Sequence, residues 1–140
     1  MPFLAKRVKI GNMQPNQKKL KILTFSLAYF PFIGGAEIAV SEITKRLGND
    51  FDFDLITCNL NGQEKSEEQI GNVKIYRVGK GQLGKHLFHF LAYKKAKELH
   101  TKNNYDVIWS IMANRAGFAA LFFKKKFPQV KFLLTLQEGD

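Results

Sequence analysis

Residues 21–47 read KILTFSLAYFPFIGGAEIAVSEITKRL: a short apolar run, a loop with one proline and two glycines, and an amphipathic repeat. Residues 22–27 are mostly apolar, which is typical of a strand buried on both faces of a parallel sheet. Pro31 and the pair Gly34-Gly35 predict a loop, because proline interrupts regular structure and glycine permits positive φ. Apolar residues then recur at helical spacing, so the segment predicts a strand, a loop and a helix.

The rest of the chain continues this alternation. Four further apolar stretches predict strands, at residues 53–58, 73–78, 106–112 and 131–136. Two further stretches predict helices, at residues 85–102 and 116–126, and polar residues 59–72 predict a surface loop. The alternation predicts an α/β fold of the Rossmann-like, doubly wound type, with a mainly parallel sheet and helices on both faces.

The composition indicates one globular domain. The 140 residues are 45 % hydrophobic and include a single cysteine, Cys58, which argues against a disulfide framework and fits a reducing compartment. Residues 1–20 are basic and show neither regular periodicity nor the apolar run of a signal peptide. We therefore expect a flexible leader over residues 1–20, a folded domain over residues 21–140 and a cytoplasmic location.

The whole chain has a formal net charge of +10, and its positive charge is concentrated in two parts. Residues 1–36 contain six basic and no acidic residues, and residues 85–126 contain nine basic and two acidic ones. Such clusters attract polyanions, anionic lipids or phosphorylated substrates, and solvated helix faces explain them equally well. Residues 122–127 mix phenylalanine with lysine. Core packing of the phenylalanines is the favoured interpretation, because helices that cover a parallel sheet need an apolar face. Peripheral contact with the anionic inner face of a membrane is a secondary expectation. No RNA-binding or helix-turn-helix signature is present, which disfavours nucleic acid as a partner.

The loop before the first predicted helix is the leading candidate for a ligand site. A strand followed by Gly34-Gly35 and a helix start presents backbone N–H groups to a phosphate or carboxylate. Glycine is needed there if a ligand lies against the backbone, and a simple turn of the chain is an equally supported alternative. The dinucleotide-binding and P-loop patterns are absent, which argues against a nicotinamide or flavin cofactor.

Polar residues after two later strands are further candidates. Asn114 and Arg115 follow the strand predicted at 106–112, at the end where α/β sheets bind ligands. Arg115 suits a phosphate on a donor or acceptor, and a helix cap or a surface pair is the alternative. Glu138 follows the last strand and suits acceptor hydroxyls, although a solvated loop carboxylate is the favoured interpretation.

The sequence predicts no metal site. His86 and His89 are three residues apart on a predicted helix, a spacing that can direct two imidazoles toward one metal. A third ligand is the difficulty, because His100 lies more than two helical turns further on and no cysteine is near in sequence.

Three segments resemble a known family. Residues 29–37 with the helix that follows resemble the opening of the N-terminal domain of glycosyltransferase family 4, the retaining GT-B enzymes. Residues 105–110 resemble that domain's Asp-Val-Ile strand, and residues 128–136 resemble its strand ending in Thr-x-His. The resemblance runs from about residue 21 to residue 140. It implies the acceptor-side half of a two-domain enzyme, truncated before its donor-binding domain.

The resemblance also implies an activity and site residues. The enzyme would transfer a sugar from a nucleotide-sugar to a glycan, lipid-linked or small-molecule acceptor, with no cofactor beyond that donor substrate. The main catalytic residues would lie in the missing domain, so the isolated chain would be inactive. Gly34 and Gly35 would lie in the interdomain cleft near the donor phosphates or the transferred sugar. In many members a histidine contacts the sugar or acceptor where this chain has Gln137, which hydrogen-bonds but does not titrate near neutral pH.

A function of another class stays open. The charge distribution by itself is also compatible with a non-catalytic basic α/β domain that binds a polyanion, either nucleic acid or an anionic membrane.

Overall fold

The computed structural model describes residues 19–32, 34–112 and 114–136. The strands in these ranges are β1 (Leu20–Phe25), β2 (Phe51–Cys58), β3 (Glu67–Ile70), β4 (Val73–Val78), β5 (Val107–Ile111) and β6 (Lys131–Thr135). The helices are α1 (Gly35–Leu47), α2 (Gly81–His86), α3 (Phe88–Asn103) and α4 (Arg115–Lys126). Of the predicted leader only Lys19 and Leu20 are described, and Leu20 already belongs to β1. None of these helices is long and apolar enough to cross a bilayer.

The described strands form one sheet in the order β3-β4-β2-β1-β5-β6. Neighbouring strands are parallel except β3 and β4, which pair antiparallel. Of the described strands, β1 lies at the centre, β2, β4 and β3 extend the sheet on one side, and β5 and β6 lie on the other side. The predicted doubly wound, mainly parallel α/β fold is therefore confirmed.

Helices cover both faces of the sheet, and each face has its own core. The core beneath α3 and α4 includes Leu23, Phe25, Ile56, Phe88 and Phe123. The core beneath α1 includes Tyr29, Val40, Leu55, Ile75 and Trp109. Successive residues of a strand point to opposite faces, so the continuous apolar runs of the central strands reflect burial on both faces.

The prediction of a surface loop over residues 59–72 is wrong in part. This segment contains β3, which pairs with β4 from Glu67 opposite Tyr76 to Ile70 opposite Val73. β3 is an edge strand of four residues whose side chains are exposed or half-buried. Edge strands carry charged side chains that discourage pairing with other chains, and this composition makes β3 look like a loop in the sequence.

The single helix predicted over residues 85–102 is two helices that meet at Leu87. The first of them, α2, begins at Gly81, four residues before the predicted start. A Cβ on Gly79, whose φ is +72°, would lie 2.7 Å from the Cα of Gly84. The two glycines thus let the end of β4 and the backbone of α2 touch, and this contact positions the extra helix.

Candidate functional site

The predicted glycine pair and the predicted polar pair lie at one edge of the sheet. The strand order reverses between β1 and β5, and open α/β sheets bind ligands at the carboxyl ends of such strands. The chain after β1 leads to Gly34 and Gly35, and the chain after β5 leads to Asn114 and Arg115. We refer to this region as the switch-point edge.

Apolar contacts hold the loop after β1 against the sheet. Tyr29 is buried, and its ring meets that of Phe30 edge to face with centroids 5.0 Å apart. Both belong to the core beneath α1, together with Met112, the residue after β5. Burial raises the pKa of the Tyr29 phenol, so this group stays neutral at physiological pH. The two loops of the switch-point edge are therefore joined by one apolar cluster.

Gly34 precedes α1 with extended backbone, at φ −130° and ψ −172°. Any residue adopts this conformation, so positive φ does not explain glycine at this position, contrary to the expectation for the pair. A Cβ on Gly34 would lie 2.8 Å from Oε2 of Glu37, at the flexible end of that side chain. Gly34 and Gly35 are both exposed, which leaves their backbone open to a ligand.

The N–H of Gly34 is already engaged. It donates to Oε2 of Glu37 over 2.7 Å, and the Gly34 carbonyl accepts the Ile38 N–H over 3.1 Å. The Glu37 carboxylate therefore lies at the positive end of the α1 dipole, where the sequence predicts an anionic ligand. The sequence already indicates that Glu37 in the first turn suits the helix dipole, but not that its carboxylate accepts the Gly34 N–H.

Asn114 caps α4. Its Oδ1 accepts the Ala116 N–H over 2.8 Å, and its carbonyl accepts the Phe118 N–H over 3.2 Å. Asparagine is among the preferred residues at this position, because its side chain satisfies an N–H that the helix leaves without a partner. The cap engages the side-chain oxygen of Asn114, so this atom serves α4.

Arg115 connects the start of α4 to the end of α2. Its Nε donates to the His86 carbonyl over 3.3 Å, and its Nη2 lies 3.2 Å from Nδ1 of His86. Neither partner group is a carboxylate, so these contacts leave the guanidinium charge uncompensated. Arg115 therefore brings a positive charge to the switch-point edge.

The histidines do not share a site. His86 ends α2 and contacts Arg115, whereas His89 lies in α3 with its ring centroid 4.1 Å from that of Phe90. In the described ranges, no three His, Cys, Asp or Glu side chains are grouped so that they could hold a metal ion. Burial also raises the pKa of the Cys58 thiol at the end of β2, which keeps it protonated.

Gln137 and Glu138 follow β6 and lie outside the described residues. Their predicted roles toward sugar or acceptor hydroxyls stay predictions.

A buried arginine supports the loop after β1. The side chain of Arg77 is 2 % exposed. Its Nη2 donates to the Phe30 carbonyl over 2.9 Å, and its Nη1 donates to the Lys65 carbonyl over 2.9 Å and to Oε1 of Glu68 over 3.4 Å. One guanidinium thus holds the loop after β1, the segment before β3 and β3 itself.

The sequence analysis missed Arg77, although a signal was present. Arg77 lies on the buried phase of β4, in step with Val73 and Ile75. Arginine is almost never buried without partners, so an arginine on that phase indicates a hydrogen-bonded structural role.

A second polar cluster lies at the opposite, amino-terminal edge of the sheet. Tyr105 donates to Oδ2 of Asp54 beside an open cavity of about 310 Å³ that Lys21 also lines. Burial raises the pKa of Asp54, while the hydrogen bond from Tyr105 and the charge of Lys21 act in the opposite direction. The strands separate this pair from the switch-point edge.

Two relatives of this chain are named glycosyltransferases. Each is an uncharacterized glycosyltransferase of Methanocaldococcus jannaschii. One is 37 % identical over 62 residues, which cover 43 % of this chain and 16 % of the relative. The other is 29 % identical over 122 residues, which cover 86 % of this chain and 33 % of the relative. The chain thus spans a third or less of the lengths of these relatives. No family model matches the chain, so membership of family 4 stays a prediction.

Solved structures show the same fold. A sucrose-phosphate synthase of Thermosynechococcus elongatus superposes with a TM-score of 0.67 and 18 % identity, over 86 % of this chain and 33 % of that one. A second structure of that synthase gives a TM-score of 0.63 and 16 % identity, over 84 % of this chain and 64 % of that one. The Rossmann-like sheet found here is therefore also part of that enzyme.

Proposed function

We propose that this chain supplies the acceptor-side half of a retaining glycosyltransferase, which moves a sugar from a nucleotide-sugar to a glycan, lipid-linked or small-molecule acceptor. The observation that carries the proposal is that the loop after β1, which leads to Gly34 and Gly35, packs against Met112 after β5 at the switch-point edge. The two relatives named as glycosyltransferases support the class of reaction. The retaining stereochemistry, the acceptor and the interdomain role rest on the resemblance to family 4.

Each residue of the switch-point edge has a role in this proposal. The exposed backbone at Gly34 and Gly35 lets the donor phosphates or the transferred sugar approach the first turn of α1. An incoming phosphate competes with Glu37 for those N–H groups, so the Glu37 side chain swings away when the donor binds. Arg115 supplies positive charge toward the phosphate. Gln137 and Glu138 hydrogen-bond acceptor hydroxyls.

The decisive experiment compares residues 1–140 with the complete product of the gene. Each protein is incubated with a panel of nucleotide-sugars and acceptors. Release of nucleoside diphosphate reports turnover, and NMR of the product reports the anomeric configuration. We expect the complete product to form a glycoside with retention and residues 1–140 alone to form none. Turnover by residues 1–140 alone, inversion, or a stop codon directly after Asp140 contradicts the proposal.

Exposed lysines favour one alternative, a polyanion-binding domain. Lys94, Lys125 and Lys126 lie exposed on α3 and α4. Nucleic-acid binding that weakens steeply with salt and survives deletion of residues 1–18 would support this alternative. Binding that disappears with residues 1–18 would show only the electrostatic attraction of the leader.

A further inference from the structure

One surface of the molecule exposes large apolar side chains next to one another. They are Leu87 (41 % exposed), Phe90 (57 %), Phe118 (56 %) and Leu121 (42 %). The ring of the half-buried Phe122 stacks on Phe90, with centroids 6.3 Å apart and an interplanar angle of 13°. Phe118 lies one turn before Phe122 on α4, and Leu87 lies one turn before Phe90. We call these five residues the α3–α4 patch.

The patch is not the core-facing side of its helices. The buried residues of α3 and α4 belong to the core and include the small side chains Ala92, Ala96, Ala116, Ala119 and Ala120. Core packing, the favoured expectation for residues 122–127, is found for Phe123, which is fully buried. Phe90 and Phe118 point the other way. Exposed aromatic residues that lie together on a surface mark an interaction site more often than scattered ones do.

Two lysines that form no ion pair with any other described residue border the patch. Lys94 lies one turn after Phe90 on α3, and Lys125 lies one turn after Leu121 on α4; both are exposed. α4 contains no acidic residue, and the acid of α3, Glu98, pairs with Lys95 over 3.6 Å. Lysine is depleted in protein–protein interfaces, whereas aromatic residues next to lysines suit the boundary between anionic headgroups and acyl chains.

We propose that the α3–α4 patch docks this protein on an anionic membrane surface. Phe90 and Phe118 enter the headgroup boundary, and Lys94 and Lys125 contact lipid phosphates. Phe118 lies in the first turn of α4, which follows β5, and Phe90 lies in the first turn of α3, directly after α2. The end of α2 contacts the start of α4 through His86 and Arg115. The docked face therefore adjoins the switch-point edge. Among the acceptors named above, this location favours a lipid-linked one. That choice of acceptor rests on the proposed function, whereas the docking itself does not depend on it.

Vesicle sedimentation of the 140-residue chain tests the docking without any need for transfer activity. The vesicles are pure phosphatidylcholine and phosphatidylcholine mixed with phosphatidylglycerol. The variant Phe90→Ser/Phe118→Ser keeps every charge and should bind the mixed vesicles about tenfold or more weakly than the unchanged chain. Lys94→Gln/Lys125→Gln should weaken this binding about fivefold per lysine. The matched control is Ile38→Ser, because Ile38 is 50 % exposed and lies on α1, at the other face of the sheet. This variant should bind the mixed vesicles as strongly as the unchanged chain.

Circular dichroism and thermal melting confirm that each variant is folded, and deletion of residues 1–18 should leave most of the binding in place. Equal binding by the unchanged chain and Phe90→Ser/Phe118→Ser would assign the affinity to unspecific charge and overturn the proposal. Absence of binding to the mixed vesicles also overturns it. Self-association that the serine variant abolishes, without vesicle binding, would identify the patch as a contact between copies instead.

Discussion

Nη2 of Arg77 donates a 2.9 Å hydrogen bond to the carbonyl oxygen of Phe30, 47 residues earlier in the chain. Arg77 lies on β4 and Phe30 in the loop after β1, and β2 lies between their strands. The guanidinium is almost fully buried, and a buried charge is tolerated only when hydrogen bonds and an opposite charge replace water. The loop that leads to the candidate site is thus positioned from a strand two places away.

Arg77→Met should lower the free energy of unfolding by about 3 kcal/mol. The change removes the buried guanidinium that donates to the carbonyls of Phe30 and Lys65, and with it the cation beside Glu68. Urea unfolding measures the loss. The amide resonances of Gly34 and Gly35 should also shift, because the loop before them loses its anchor.

Lys74→Met is the matched control, on the same strand. Lys74 is 40 % exposed and lies 3.9 Å from Glu67, and exposed pairs of this kind contribute below about 1 kcal/mol. Equal losses in the two variants, or unchanged glycine resonances in Arg77→Met, would show that Arg77 does not position the loop.

Gly79→Ala should cost more stability than Gly71→Ala, although both glycines have positive φ. Nothing lies within 4 Å of a Cβ at Gly71, so that variant shows the backbone penalty alone, about 1 kcal/mol. At Gly79 a Cβ would also lie 2.7 Å from the Cα of Gly84, and such overpacking adds about 1–3 kcal/mol. Thermal and urea unfolding compare the two, and equal losses would refute the close approach between β4 and α2.

In the proposed glycosyltransferase, Gly35→Val in the complete gene product should reduce transfer by about 10²-fold or more while the fold stays largely intact. A β-branched side chain at the start of α1 fills the space where a ligand would meet the backbone N–H groups. Steady-state kinetics and thermal melting are measured together, with Ile38→Val, one turn into α1, as the control. A collapsed melting temperature with normal turnover in the folded fraction would show that Gly35 serves only the turn.

His100 should make the stability depend on pH. Its Nδ1 accepts the Tyr105 N–H over 3.1 Å, and burial lowers its pKa below the usual 6.5. The unfolded chain therefore binds the proton more readily, and the free energy of unfolding falls as pH drops below about 6.5. His100→Asn keeps an acceptor for Tyr105 but has no titratable ring, so this part of the pH dependence should disappear. Urea unfolding at neutral and mildly acidic pH measures it, and identical pH dependence in both proteins would exclude His100 as its source.

Local patterns predicted the parts of the candidate site that lie where a strand ends. Pro31 and the glycine pair follow a buried strand, and Asn114 and Arg115 follow another, so their placement at carboxyl strand ends could be read directly. The residues that they contact in the folded protein could not be predicted from local patterns. The contact of Arg115 with His86 depends on how α2 packs beside α4.

The sequence by itself determined the doubly wound α/β fold, because strand and helix periodicities are properties of neighbouring residues and parallel strands require right-handed crossovers. Tertiary structure alone decided that polar residues 67–70 form an edge strand, since β4 offers them backbone partners that composition does not show. It also decided that Gly79 and Gly84 meet and that Arg77 is buried beneath the loop after β1. These features depend on contacts between residues far apart in sequence, which exist only after the sheet has formed.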